Sequence, residues 1–150
     1  MPTVKDSCET DFFEWTRETA EKIRNGDFST IDLEALAEEV EDLGRHDRRE
    51  VRSRIKQILI HLLKWHFQPE YRRDFGERSW RTSIQNQRGE LLEALEESPS
   101  LRRFLPGALA EVYPKAVAGA VDESGLPAAS FPSECLWTLD QILDRTFFPD

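Results

Sequence analysis

Three side chains that could bind a metal ion lie at helical spacing near the start of the longest predicted helix. They are Glu39, Asp42 and His46, at positions i, i+3 and i+7. On a continuous helix this spacing places all three on one face, and carboxylate and imidazole groups together can bind a divalent cation. That face lies opposite the apolar stripe, where charged side chains are usually solvated. The spacing matches no established metal motif, so a metal-dependent enzyme is our third hypothesis for function.

The arginine-rich segment of residues 72–88 is a second candidate site. Guanidinium groups bind phosphates, and neighbouring aromatic rings can stack on unpaired bases. The competing interpretation is ion pairing with carboxylates of the same chain, which is common on protein surfaces. Nucleic-acid or anion binding is therefore our second hypothesis, and its candidate residues are Arg72, Arg73, Arg78 and Arg81.

The sequence contains no recognisable catalytic motif: GxGxxG, Walker A, H-E-x-x-H and C-x-x-C are all absent. His61 and His66 would lie about 140° apart on a helix, so they cannot bind one metal ion together. We expect each ring to be packed, with one nitrogen hydrogen-bonded. Cys8 and Cys135 have neither a metal spacing nor a disulfide framework, which favours reduced thiols. We expect no cofactor.

The composition of the 150-residue chain is typical of one folded domain. Four tryptophans and nine phenylalanines argue against disorder. The beginning of the chain lacks the pattern of a signal peptide, and the longest apolar run, residues 58–67, is too short to span a membrane. We expect one cytoplasmic domain over residues 1–150, with a flexible segment at 1–9 and no membrane association.

The net charge of −9 conceals three blocks of alternating sign. Residues 1–44 carry a net charge of −9, residues 45–88 carry +7, and residues 89–150 carry −7. A nucleic-acid-binding protein usually has a net basic balance. Neutralisation of the basic block by carboxylates of the same chain is therefore the simpler interpretation.

Hydrophobic periodicity predicts helices in nearly the whole chain. We expect helices over about Asp11–Asn25, Asp32–Phe67 and Glu77–Glu97, with residues 68–76 forming a loop. Ser98 and Pro99 have the types that begin a further helix, which Pro106 and Pro114 should break or bend. Thr138 and Gln141 have the spacing of a capping box for a short last helix.

The long predicted helix has one apolar stripe with no change of phase at Gly44. A break there would place acidic residues at a helix C-terminus and arginines at the next N-terminus, against the helix dipole. We therefore predict one helix over about 32–67. Gly44 inside it costs about 1 kcal/mol, which a closely crossing helix could offset. A kink or break at Gly44 stays open, because such a helix would be about 54 Å long.

Five strings occur in order along the chain: FFEWT (12–16), IDLEALAEEVEDLGR (31–45), HLLKW (61–65), RSWRTSI (78–84) and LPAASFPSECLWTLDQILD (126–144). Through these strings the chain resembles, over about its whole length, a bacterial family of domains of unknown function, numbered twenty-nine. The resemblance implies a small, single-domain, all-helical bacterial protein, and it brings no catalytic or cofactor-binding residue.

We predict an all-α, single-domain helical bundle around one long central helix, with the flanking helices packed around residues 55–65. The favoured function is that of a non-enzymatic interaction or scaffold protein. Its partner would be another protein or a second copy of the chain, bound through an exposed part of the apolar stripe, rather than a nucleic acid.

Overall fold

The computed structural model describes residues 11–150, and these contain helices but no strand. The chain divides into two compact units, residues 1–46 and 47–150. The all-α prediction is confirmed, the single domain stays a prediction, and the expected flexible segment at 1–9 lies outside the described residues. Within residues 11–150, the α-helices of five or more residues are α1 (Phe12–Arg24), α2 (Leu33–Phe67), α3 (Glu77–Glu97), α4 (Leu105–Ser124) and α5 (Leu139–Leu143).

The N-terminal unit is a helical hairpin made of α1 and the first part of α2. The side chain of Asp11 accepts a hydrogen bond from the backbone N–H of Glu14 and so caps α1. Asp32 caps α2 in the same way through the N–H of Ala35, at 3.1 Å. Between the helices, Gly26 has a φ of 73°, which glycine adopts without a steric penalty. Both helices thus begin where the sequence predicts.

Helix α2 runs unbroken through Gly44, as predicted. A Cβ atom added at Gly44 would meet nothing within 4 Å, so within residues 11–150 no closely crossing helix offsets the cost of this residue. Ion pairs one turn apart support the helix across Gly44 and after it: Arg45 lies 2.7 Å from Asp42, and Arg54 lies 3.3 Å from Glu50. Each exposed pair adds only a few tenths of a kcal/mol.

Replacing Gly44 with alanine should stabilise the protein by about 1 kcal/mol, because the site is helical and sterically open. Urea unfolding followed by circular dichroism measures this change. An equal or lower stability of the Gly44→Ala variant would contradict a regular helix at this residue.

The C-terminal unit contains the main hydrophobic core, which is centred on residues 55–65 of α2 as predicted. Helix α4 approaches α2 closely: a Cβ at Gly119 would lie 2.7 Å from Cδ1 of Ile60. The small residues of α4 permit this packing. The core side chains from the three main helices include Ile55, Ile58, Leu59, Leu62, Leu63, Trp80, Ile84, Leu91, Leu95, Ala108, Ala116 and Ala120.

The predicted loop at residues 68–76 is helical, so this prediction is wrong. A one-turn helix, Pro69–Tyr71, is followed by a π-helix, Arg72–Gly76, which leads directly into α3. A Cβ at Gly76 would lie 2.8 Å from the ring of Trp80. Glycine therefore lets the Trp80 ring pack against the backbone, and the segment is held as helix by tertiary contact rather than by its own propensity.

The proline-containing stretch after α3 departs from the sequence-based description in part. Residues Pro99–Phe104 form a 3₁₀ helix, and the side chain of Ser98 makes no capping hydrogen bond. Pro106 lies in the first turn of α4, where a missing N–H costs little. Pro114 lies inside α4 without ending it. The capping box of Thr138 and Gln141 at the start of α5 is confirmed.

Carboxylates of the last sequence block neutralise part of the basic block. Arg52 pairs with Glu111 at 3.9 Å and Lys64 with Glu123 at 3.5 Å. The Nζ atom of Lys64 also lies 4.9 Å from the centre of the Trp80 ring. For these residues, the prediction that basic groups are satisfied within the chain is confirmed.

Arg88 is buried at the point where α5 packs against α3. The sequence pattern places Gln87 on the buried side of α3, but Arg88 takes that position and is 0% exposed. Its guanidinium donates three hydrogen bonds to backbone carbonyls, at 2.7 Å to Ile142, 2.7 Å to Phe147 and 3.2 Å to Gln141. Burial lowers the pKa of Arg88 to about 10. The cation thus caps the negative end of α5 and satisfies carbonyls that packing removes from water.

We expect Arg88→Met to lower the free energy of unfolding by about 3 kcal/mol, because it leaves buried carbonyls without donors. Chemical denaturation measures the loss. Arg78→Met, on the exposed side of the same helix, is the control and should change stability by less than about 0.5 kcal/mol. Equal effects of the two substitutions would disprove the role of Arg88.

Candidate functional site

An apolar groove runs along the N-terminal unit between α1 and the first part of α2. Trp15 is 2% exposed and closes its floor, whereas Phe12, Val40 and Leu43 remain 51%, 59% and 69% exposed. The groove has a volume of about 340 Å³. We call it the N-terminal groove; it is lined by Phe12, Trp15, Thr16, Thr19, Ala20, Ile23, Leu36, Glu39, Val40 and Leu43.

Seven of the eleven large apolar side chains that are exposed within residues 11–150 lie in the N-terminal unit, and four of the seven line this groove. The C-terminal unit is longer but exposes only Tyr71, Phe75, Phe104 and Leu136 among its large hydrophobic residues. A contiguous exposed apolar surface of this kind commonly marks a binding site. In the described part of the N-terminal unit, the exposed set is Phe12, Phe13, Ile23, Phe28, Leu33, Val40 and Leu43.

The groove is exposed because the hairpin has too few helices to cover its own apolar side chains. Its buried residues are Trp15, Thr19, Ile31 and Ala35. Two helices cover each other only along the line where they meet. The apolar stripe of each helix is about 100° wide or more around the helix, so part of each stripe faces outward. By helical spacing, the sequence places Phe12 on the apolar face of α1 and Trp15 at the edge of that face. In the structure Trp15 is buried and Phe12 is exposed.

The proposed metal ligands are not brought together as a binding site. Glu39 lies in the groove wall, while Asp42 accepts hydrogen bonds from Nε and Nη2 of Arg45 at 3.0 and 2.7 Å. His46 is exposed. Residues 11–150 contain no group of three or more His, Cys, Asp or Glu side chains that could hold a metal ion. The metal site stays a prediction from spacing alone.

The four candidate arginines of segment 72–88 have different surroundings. Arg72 donates to the carbonyl of Trp65 at 3.1 Å and lies over the Trp65 ring. Arg81 lies 4.3 Å from the centre of the Phe148 ring and pairs with Glu77 at 3.5 Å.

The other two candidates, like Arg81, are exposed. Arg73 is an exposed neighbour of Asp74, at 3.5 Å. Arg78 is exposed and makes no ion pair within the described residues. Arg72 and Arg81 thus contact aromatic rings of the fold, and three of the four arginines are exposed. Binding of an anion or a nucleic acid by these residues stays a prediction.

Replacing Arg81 with alanine should lower stability by about 1 kcal/mol through loss of its contact with Phe148, whereas Arg78→Ala should leave stability unchanged. Thermal unfolding of both variants measures the difference. If Arg81→Ala were silent, Arg81 would be available for an anion and the nucleic-acid hypothesis would gain support.

The histidines and the described cysteine have local structural partners. Nδ1 of His61 lies 2.9 Å from the carbonyl oxygen of Gln57, and Nδ1 of His66 lies 3.0 Å from that of Asp150. The expected hydrogen bonds are therefore confirmed. Burial raises the pKa of the Cys135 thiol, and a thiol with a raised pKa is a weak nucleophile at neutral pH. Cys8 lies outside the described residues.

None of the helices in residues 11–150 combines the length and the apolar character that crossing a bilayer requires.

The fold and the groove together define a class of protein: an all-helical chain with an exposed apolar surface on its N-terminal hairpin. The profile of one family, the domain of unknown function DUF29, matches residues 8–148. The chain therefore belongs to the DUF29 family, and the resemblance seen in its sequence is confirmed. No curated protein and no solved structure gives a significant match.

Proposed function

We propose that this protein is a non-enzymatic interaction protein that binds a polypeptide through the N-terminal groove. The observation that supports this most is the exposure of Phe12, Val40 and Leu43 side by side on two adjacent helices. Removing such side chains from water is worth about 1.5–3 kcal/mol each. The hairpin gains this energy only when another chain covers the groove.

A helix is the ligand shape that suits this groove best. The lining residues Leu36, Val40 and Leu43 recur at helical spacing on α2, and Thr16, Ala20 and Ile23 do so on α1. An amphipathic helix placed along both would add its apolar face to theirs, as in other helix-in-groove complexes. Phe12 and Phe13 at one end are of the residue class that often contributes strongly at interfaces. We further propose a cytoplasmic location, supported by the sparse and distant cysteines.

A photo-crosslinking amino acid placed at Val40 tests this function in cells that produce the protein. We expect covalent adducts to a polypeptide from Val40, and loss of those adducts when Leu43→Lys is added. Leu43 is already exposed, so this substitution should not disturb the fold. The same crosslinker at the exposed residue Lys115 of α4 is the positional control. Absence of adducts from Val40, or equal adducts from both positions, would disprove the proposal.

A further inference from the structure

We infer that the occupant of the N-terminal groove is the same groove of a second copy, so that two hairpins form a four-helix bundle. This inference rests on the proposed function and names the partner. The charges along the two outer edges of the groove support it, because they are of opposite sign on α1 and α2.

The charged residues of α1 nearest the outer edge of the groove are basic. Thr16 and Ala20 line both the groove and a neighbouring depression. Around the helix, Arg24 and Arg17 lie about 40° and 60° beyond Ala20. The three acidic residues of that depression, Glu14, Glu18 and Glu21, lie further round, away from the groove. Both arginines are exposed, and each directly follows a groove residue in sequence. Arg17 has one weak partner, an exposed Glu14 at 3.8 Å. Its guanidinium is therefore free to pair elsewhere at little cost.

The outer edge of α2 is acidic. Ala35 is buried on the side that faces α1, so the side of α2 beyond Val40 faces away from α1. Glu41 and Glu34, seven residues apart, are the first charged residues of the N-terminal unit beyond Val40 around the helix, about 100° and 120° from it. Arg45 lies 3.7 Å from Glu41 but its closer contact, at 2.7 Å, is with Asp42.

The opposite charges also lie at matching levels. Helix α1 ends at Arg24 and α2 begins at Leu33, so Arg24 and Glu34 lie at the turn end of the hairpin. Seven residues from that end, about 10 Å along each helix, lie Arg17 and Glu41. A two-fold axis parallel to the helices leaves the position of each residue along the helix axis unchanged, so residues at the same height in one copy are at the same height in the other.

In that arrangement α1 of each copy lies beside α2 of the other copy. Arg17 then faces Glu41 of the second copy, and Arg24 faces Glu34, at both edges of the bundle. A two-fold axis across the helices would instead bring the basic edges together and the acidic edges together, which is unfavourable. The charges therefore select one of the two face-to-face packings and make the surface complementary to itself, as a symmetric dimer requires.

A basic amphipathic helix is the main rival occupant, because residues 11–46 contain eleven acidic and four basic side chains. The basic side chains of such a partner would be attracted to the acidic residues of α2 but repelled by Arg17 and Arg24 of α1. The second copy satisfies both edges at once.

Sedimentation velocity of the purified full-length chain at micromolar concentration is the first test. We expect a dimer for the natural sequence and a monomer of unchanged helicity for Leu43→Lys. Leu136→Lys, an exposed leucine in the other unit, is the matched control and should remain dimeric. A monomeric natural protein, or a dimeric Leu43→Lys, would overturn the inference.

Exchange of the edge charges tests the geometry. Arg17→Glu/Arg24→Glu makes both edges acidic, and Glu34→Arg/Glu41→Arg makes both edges basic. Each double variant alone should dimerise about tenfold or more weakly than the natural protein, because like charges then meet at both edges. An equimolar mixture should form heterodimers, detected by native mass spectrometry. Unchanged dimerisation of either variant alone, or a mixture without preference for heterodimers, would overturn the packing.

The two proposals fail in distinguishable ways. If Val40 crosslinks to a different protein while the pure chain stays monomeric, the second copy is the wrong occupant and the interaction function stands. If Val40 gives no adduct and the chain is monomeric, both proposals are wrong.

Discussion

The main constraint on this molecule is that the apolar stripe of α2 is longer than the core that covers it. From Val51 onward the stripe is enclosed by α3 and α4 within the C-terminal unit. Before Gly44, within residues 11–150, the stripe packs against α1, and Val40 and Leu43 remain exposed. The free energy of an exposed apolar surface falls when a partner covers it. The same stripe therefore stabilises the fold in one part and, in the other, leaves the exposed surface on which the proposed interaction rests.

The buried cation at Arg88 is the strictest local requirement of the C-terminal unit. Its donors reach carbonyls of Gln141 and Ile142 at the end of α5 and of Phe147 beyond it. A helix of five residues has little stability of its own. Two groups hold α5 in place: the capping box of Thr138 and Gln141 at its N-terminus and Arg88 at its C-terminus. The position of the last part of the chain therefore depends on one side chain of α3.

Local signals predicted most of the fold, and tertiary contacts account for most of the errors. The limits of α3 and the cap at Thr138 follow from residue types close in sequence, and so does the continuity of α2. Periodicity could not identify Arg88 as buried, because a charged residue is assigned to the surface until its acceptors are known. The sequence predicted an exposed part of the apolar stripe but not the groove with α1, because a stripe does not show which helix covers it or how much of it stays exposed. The helical segment before α3 depends on the packing of Trp80 against Gly76.

The groove and the main core belong to separate sets of residues, and this separation affects how such proteins can diverge. Substitutions at Arg24 or Glu34 alter an exposed edge and leave the residues around Ile58 untouched. Duplicated genes encoding such a chain could therefore acquire mutually exclusive pairing through a few charge changes, without loss of folding. Under the proposed pairing, each paralogue in a cell would then bind only its own copies, although all of them would share the same fold.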